Sequence, residues 1–194
     1  MRVLRDVVLT LLAVVFVAVV GAYAFARSGG LSADRQPGAL EQAVAGRLRN
    51  VSASAQAGDV TNPLADKPDA WRGATRNYAA RCAMCHNING KGATMLASNV
   101  SPPPPDFTQD DTQRLSDAQL FAIIRDGVRF TAMPSWREMH TDEELWHYVA
   151  LVRHFPNLQL EELDLLNPAV VLVDREPERE PEVAIPAAMR DRQY

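Results

Sequence analysis

Cys82-Ala83-Met84-Cys85-His86 is the stretch on which the reading of the whole chain turns. Two thiols three positions apart sit on one side of a helical turn, where each can add to a porphyrin vinyl group and form a thioether. The adjacent imidazole then falls under the iron as its proximal ligand. One such motif implies one haem, held covalently at Cys82 and Cys85 with His86 on the metal. Competing readings of the two thiols are weaker. A thioredoxin-like redox pair sits beside a βαβ pattern, and the sequence around Cys82 has a helical period instead. A structural zinc site brings a second pair of ligands at similar spacing. The chain has no further cysteine, and His140, His147 and His154 lie far downstream. A disulfide closing so short a loop would staple almost nothing.

Upstream, Trp71, Ala74 and Tyr78 recur at spacings of three to four, and Cys82 continues that face, which predicts a helix from Asp69 to Ala83 with the motif at its carboxyl end. Gly73 lies inside it at a cost of about 1 kcal/mol against alanine. Close approach of another helix at a point without a Cβ would account for it. Downstream, Gly90 and Gly92 open a loop around Lys91, and Ser101-Pro-Pro-Pro-Pro-Asp-Phe107 is too proline-rich for a helix or an interior strand. A carbonyl from Pro102 to Pro105 is a candidate acceptor for the second ring nitrogen of His86.

Two further helices carry their own boundaries. Ser116 with Gln119 is a capping box opening a helix with Leu120, Phe121, Ile123 and Ile124 that stops at Gly127. Thr141 with Glu144 is a second one, and its helix sets Leu145, Val149, Val152 and Phe155 on one stripe, widened by Trp146, Tyr148 and Leu151, before Pro156. That stripe is expected to pack on the Asp69–Ala83 helix at Gly73. His147 and His154 belong to this last helix and read as packed or solvated. Candidates for a sixth iron ligand are Met84, Met95, Met133, Met139 and the remaining histidines. Met133 is the strongest, since it sits in a loop between the two helices with Pro134 fixing the backbone after it.

At the amino end, Val7 to Ala26 is an almost unbroken apolar run behind Arg2 and Arg5. It is long enough to span a bilayer, which takes about 20 helical residues. A secretory signal has a shorter apolar core, although Ala22-Tyr23-Ala24 could pass as a cleavage site. A retained anchor is favoured, and the basic residues would leave positions 1–6 in the cytoplasm with everything after Arg27 outside. Residues 27–68 read as a tether containing a short amphipathic helix over Ala39–Val51, with Leu40, Val44, Leu48 and Val51 near four-residue spacing. Residues 157–194 read as an extension: a short helix over Leu158–Leu166, then a Glu-, Arg- and Pro-rich tail from Asp174 to Tyr194 that reads as disordered. With 194 residues, 47 % of them hydrophobic, the chain holds one core plus extensions. A net charge of -4 with scattered Lys and Arg excludes a nucleic-acid stripe.

Taken in order, Arg81-Cys-Ala-Met-Cys-His86, Gly90-Lys-Gly92, Pro-Pro-Pro-Pro-Asp-Phe107, Leu120-Phe-Ala-Ile-Ile-Arg-Asp-Gly127, Met133-Pro-Ser-Trp136 and Glu144-Leu-Trp-His-Tyr-Val149 resemble a class I c-type cytochrome. They are similar in particular to the membrane-anchored monohaem cytochromes and the cytochrome subunits of bacterial haem-copper oxidases and dehydrogenases. The resemblance covers about Asp69 to Phe155. It implies an all-α class I cytochrome c fold over residues 69–156 with its first and last helices crossed, one covalent haem c, and His86 and Met133 on the iron. Many relatives carry an aromatic at the place of Leu151.

The function expected is that of a membrane-anchored, non-enzymatic carrier of single electrons between redox protein partners, with no nucleic acid and no small-molecule substrate. Its haem domain would lie on the periplasmic side of a bacterial inner membrane. A fixed subunit of a larger oxidoreductase and a haem-based gas sensor with a displaceable Met133 are the alternatives.

Overall fold

The computed structural model describes residues 2–32 and 35–171, and all the regular structure in them is helical. The tail from Asp174 to Tyr194 lies outside the described residues. In order come α1 (Arg2–Arg27), α2 (Ala39–Ala57), a 3-10 turn (Ala70–Ala74), α3 (Thr75–Arg81), α4 (Ala83–His86), α5 (Asp110–Gln113), α6 (Asp117–Asp126), α7 (Asp142–His154), a 3-10 segment (Leu160–Leu166) and α8 (Pro168–Val171).

Helix α7 is the centre of the core. Leu145, Trp146, Tyr148, Val149, Leu151 and Val152 are all buried, the widened stripe read from the sequence. Leu151 is wholly buried, an aliphatic side chain filling its place without an aromatic ring. One side of α7 packs on the Ala70–Ala74 turn and the other on α6, where Phe121 and Trp146 stack with ring centroids 4.3 Å apart. Each large side chain buried this way contributes about 1.5–3 kcal/mol. Both capping boxes are present, from Ser116 to Gln119 and from Thr141 to Glu144, so helices α6 and α7 start where those patterns place them.

The helix expected from Asp69 to Ala83 is divided. Its first turn is a 3-10 turn, and only from Thr75 does α3 run as an α-helix. The crossing with α7 falls in that tightened turn. A Cβ on Gly73 would stand 2.5 Å from His147 Nδ1, so the absence of a side chain is what lets α7 come this close. His147 Nδ1 in turn hydrogen-bonds the Ala70 carbonyl at 2.6 Å. His154 stacks on Trp71 with centroids 4.1 Å apart. Both histidines are packing residues of the crossing.

Two segments flanking this unit also join it. Helix α2 runs six residues beyond its expected end and packs on α6 through Ala53 and Ala57. Gln119 Nε2 donates to Ser54 Oγ at 2.8 Å, fixing the contact. On the other side the Leu160–Leu166 segment packs on α3, with Leu166 wholly buried and Glu162 2.8 Å from His154 Nε2. A short helix there was expected, and the segment forms a 3-10 helix. At the edge of the core, half-buried Arg153 of α7 donates to Asp117, to the Gln113 carbonyl and to the Leu115 carbonyl, so one guanidinium closes the corner between α5 and α6.

Replacing a helical glycine by alanine usually stabilises by about 1 kcal/mol. At Gly73 the opposite sign is expected. G73A should lower stability by about 1–2 kcal/mol, because the His147 ring must move off the Ala70 carbonyl. Thermal unfolding followed by circular dichroism checks it, and the G73A/H147A double variant should recover part of the loss.

Candidate haem-binding site

The Cys82–His86 segment forms a compact turn at the end of α3. Cys82 N donates to the Tyr78 carbonyl at 2.8 Å, and the Cys82 carbonyl accepts from Cys85 N at 3.1 Å and from His86 N at 2.9 Å. Both thiols are free of any disulfide. Burial pushes the Cys82 thiol up to about 12, with Cys85 adding to the rise and Arg81 opposing it. Burial likewise raises Cys85. Both therefore stand as protonated thiols, the form that adds across a vinyl double bond.

Burial moves the His86 imidazole down to about 4, against an opposite pull from the Pro105 carbonyl. The ring is neutral at physiological pH and keeps a lone pair for a metal. Nδ1 is buried and makes no hydrogen bond of good geometry, with the Pro105 carbonyl as the backbone acceptor facing the ring. Phe107 stacks on the imidazole, centroids 4.4 Å apart and planes 19° apart. The proline-rich loop therefore brings two groups to His86, a carbonyl and a ring. The sequence pointed to the carbonyl without choosing among four prolines, and it gave Phe107 no role. The loop is held by Phe107 N donating to the Gly90 carbonyl at 2.8 Å. Gly92 has φ +66, and a Cβ there would stand 2.6 Å from the Pro104 oxygen, so the two loops meet backbone to backbone.

Met133 lies apart from this turn in sequence, half-buried on the loop between α6 and α7. That loop is pinned at its base. The Arg125 carbonyl accepts from the Ser135 hydroxyl at 2.9 Å, from Trp136 N at 3.1 Å and from Arg137 N at 3.0 Å. Val128 N donates to the Met133 carbonyl at 3.1 Å. Gly127 has φ +69, and a Cβ would fall 2.5 Å from the Pro134 carbonyl carbon, so only glycine lets the loop close there. Asp126 binds Arg125 at 2.9 Å and also binds Arg137, tying both ends of the loop together. The other methionines considered, Met84, Met95 and Met139, are exposed.

Residues 69–152 match the family described as cytochrome c oxidase, cbb3-type, subunit III. They form a c-type cytochrome domain. The domain is related to the cytochromes of haem-copper oxidases, and its family implies a covalently bound haem c. No curated protein matches the chain. The residues present suit that group: two protonated thiols in one turn, a neutral imidazole, and a ring stacked on it.

The cytochrome domain also holds a polar cluster that the sequence did not single out. His140 is buried, its Nε2 is 3.2 Å from the Tyr148 hydroxyl, and its Nδ1 is 3.6 Å from Glu144 Oε2. Burial lowers the His140 pKa, with Arg81 acting in the same direction and Glu144 against it. The signal was available as a four-residue repeat, His140, Glu144 and Tyr148, along one face of α7 and the turn before it.

Asp126 supplies a pH test of the methionine loop. Its carboxyl is held below the usual value, chiefly by the Arg125 hydrogen bond, so the stability it gives is fully present above about pH 3.9 and is lost as pH falls through the lower folded value. D126N should cost about 1–2 kcal/mol at neutral pH and close to nothing in strong acid. Denaturant midpoints of both proteins at the two extremes measure the difference.

Proposed function

We propose that the chain is a membrane-anchored monohaem cytochrome c that passes single electrons between protein partners outside the cytoplasmic membrane. The observation that carries the reading is the Cys82-Cys85-His86 turn, with its two free thiols and neutral imidazole, inside a domain whose family performs haem-based electron transfer. When bound, haem iron takes up and gives back one electron with no bond made to a substrate. Cys82 and Cys85 would hold the group covalently, and His86 would bind the iron through Nε2, steadied by Pro105 and Phe107. Met133 would supply a second iron ligand from its pinned loop, and a thioether ligand favours the reduced state.

In this reading residues 1–6 are cytoplasmic, 7–26 cross the membrane, 27–68 are the tether, 69–156 the cytochrome domain and 157–194 the extension. Helix α1 supports the anchor: with 26 residues it is long and apolar enough to cross a bilayer. Tethering raises the effective concentration of the domain for any partner in the same membrane. A fixed subunit of a larger oxidoreductase is the second reading, favoured by the family's description as a subunit of an oxidase. Co-purification from detergent-solubilised membranes separates the two, since a fixed subunit travels with stoichiometric partners and a carrier travels alone.

Two measurements test the site. Intact mass of the native protein should exceed that of the polypeptide by one haem, and a bare polypeptide mass would end the proposal. M133A should abolish the methionine-to-iron charge-transfer band of the oxidised protein, and an unchanged band would remove Met133 as a ligand.

A further inference from the structure

Helix α2 uses the face that its sequence pattern did not favour. The stripe of Leu40, Val44, Leu48 and Val51 is the apolar face of the helix, yet those residues are 79 %, 50 %, 65 % and 68 % exposed. The helix meets α6 with its opposite side, through Ala53 and Ala57. Gln119 donating to Ser54 and Arg125 donating to the Gln56 carbonyl complete that contact. Nothing among the described residues covers the aliphatic stripe, and the hold on α6 is made without it.

What covers the stripe follows from where α2 lies along the chain. On the reading that α1 crosses the bilayer, the chain leaves it near Arg27, and residues 28–38 are all that separates this point from the start of α2. Fully extended, that connection reaches at most about 40 Å, so α2 is confined to the neighbourhood of the lipid surface. A helix with an aliphatic face bordered by an arginine suits the boundary between headgroups and acyl chains. Arg47 lies beside the stripe, and Glu41 is the single acidic residue of α2. Four aliphatic side chains bind a bilayer weakly on their own, but a helix already held there by a spanning segment needs little intrinsic affinity.

We infer that α2 lies in the membrane interface with Leu40, Val44, Leu48 and Val51 in contact with lipid, and so holds the cytochrome domain against the bilayer in one orientation through α6. The inference rests on the anchoring role proposed for α1. Because α6 leads directly into the methionine loop, that orientation would also set which side of the domain faces a partner in the same membrane.

The test uses the full-length protein reconstituted into vesicles of phosphatidylethanolamine and phosphatidylglycerol, with p-benzoylphenylalanine replacing Leu48 or, as a control, the exposed Asp110 of α5. After irradiation, lipid adducts at position 48 are expected to exceed those at position 110 about tenfold. V44D, a change outside the core, should reduce the position-48 adducts about fivefold with the circular dichroism spectrum unaltered. Equal yields at the two positions, or crosslinks from position 48 to a second copy of the chain in place of lipid, would overturn the inference. Alkaline carbonate extraction distinguishes the two failures. Protein washed from the vesicles removes the anchor and this inference together, whereas protein that stays without lipid adducts at position 48 removes the inference alone.

Discussion

Helix α7 lies across the Ala70–Ala74 turn at a point where residue 73 has no side chain to hold it away, and the other contacts of the domain are arranged about that crossing. With Gly73 under the His147 ring and Trp71 under the His154 ring, the first helical segment is fixed on the last. Tyr78 is then placed to donate to the Asn87 carbonyl at 2.6 Å, which fixes the chain just after the Cys82–His86 turn. Its hydroxyl is buried, and burial raises its pKa, so it stays a donor across the physiological range. The thiols and the imidazole are thus held from outside their own turn. Four residues of helix could not hold themselves in water.

The Cys82–His86 turn and the loop that carries Met133 are built by different means. On the histidine side, loops meet backbone to backbone, with Gly92 on Pro104 and the ring of Phe107 on His86. Contacts of that kind leave little freedom for the imidazole to turn. On the methionine side, the loop is closed by hydrogen bonds converging on the Arg125 carbonyl and by the Asp126 ion pairs. That side depends on charge, so acid acts on the methionine loop through Asp126, whereas the histidine side is held mainly by packing.

Segments outside the matched residues 69–152 take part in the fold. Leu166 is wholly buried, and Glu162 joins His154 and Arg72, so the segment after Phe155 supports the same crossing from the far side. Helix α2 does the equivalent for α6. On the proposed anchored reading, a carrier whose tether is docked on its own domain moves differently from one on a loose leash. Its domain would turn with α2, and the proposed lipid contact of α2 would convert a flexible attachment into an oriented one.

Much of this was written in local sequence. The Cys82-x-x-Cys85-His86 spacing, the two capping boxes, the stop at Gly127 and the apolar run from Val7 to Ala26 are each specified by neighbours a few residues apart, and such patterns carry their meaning without the rest of the chain. The all-helical class and the relation to c-type cytochromes followed from their order. The tertiary structure alone decided which proline carbonyl faces His86, that Phe107 stacks on it, that His140 is buried against Tyr148 and Glu144, and that the first turn of the Asp69–Ala83 stretch tightens to a 3-10 geometry. It also decided which side of α2 is covered. These depend on residues tens of positions apart meeting at one place, and hydrophobic periodicity reports that a face is apolar without reporting what that face meets.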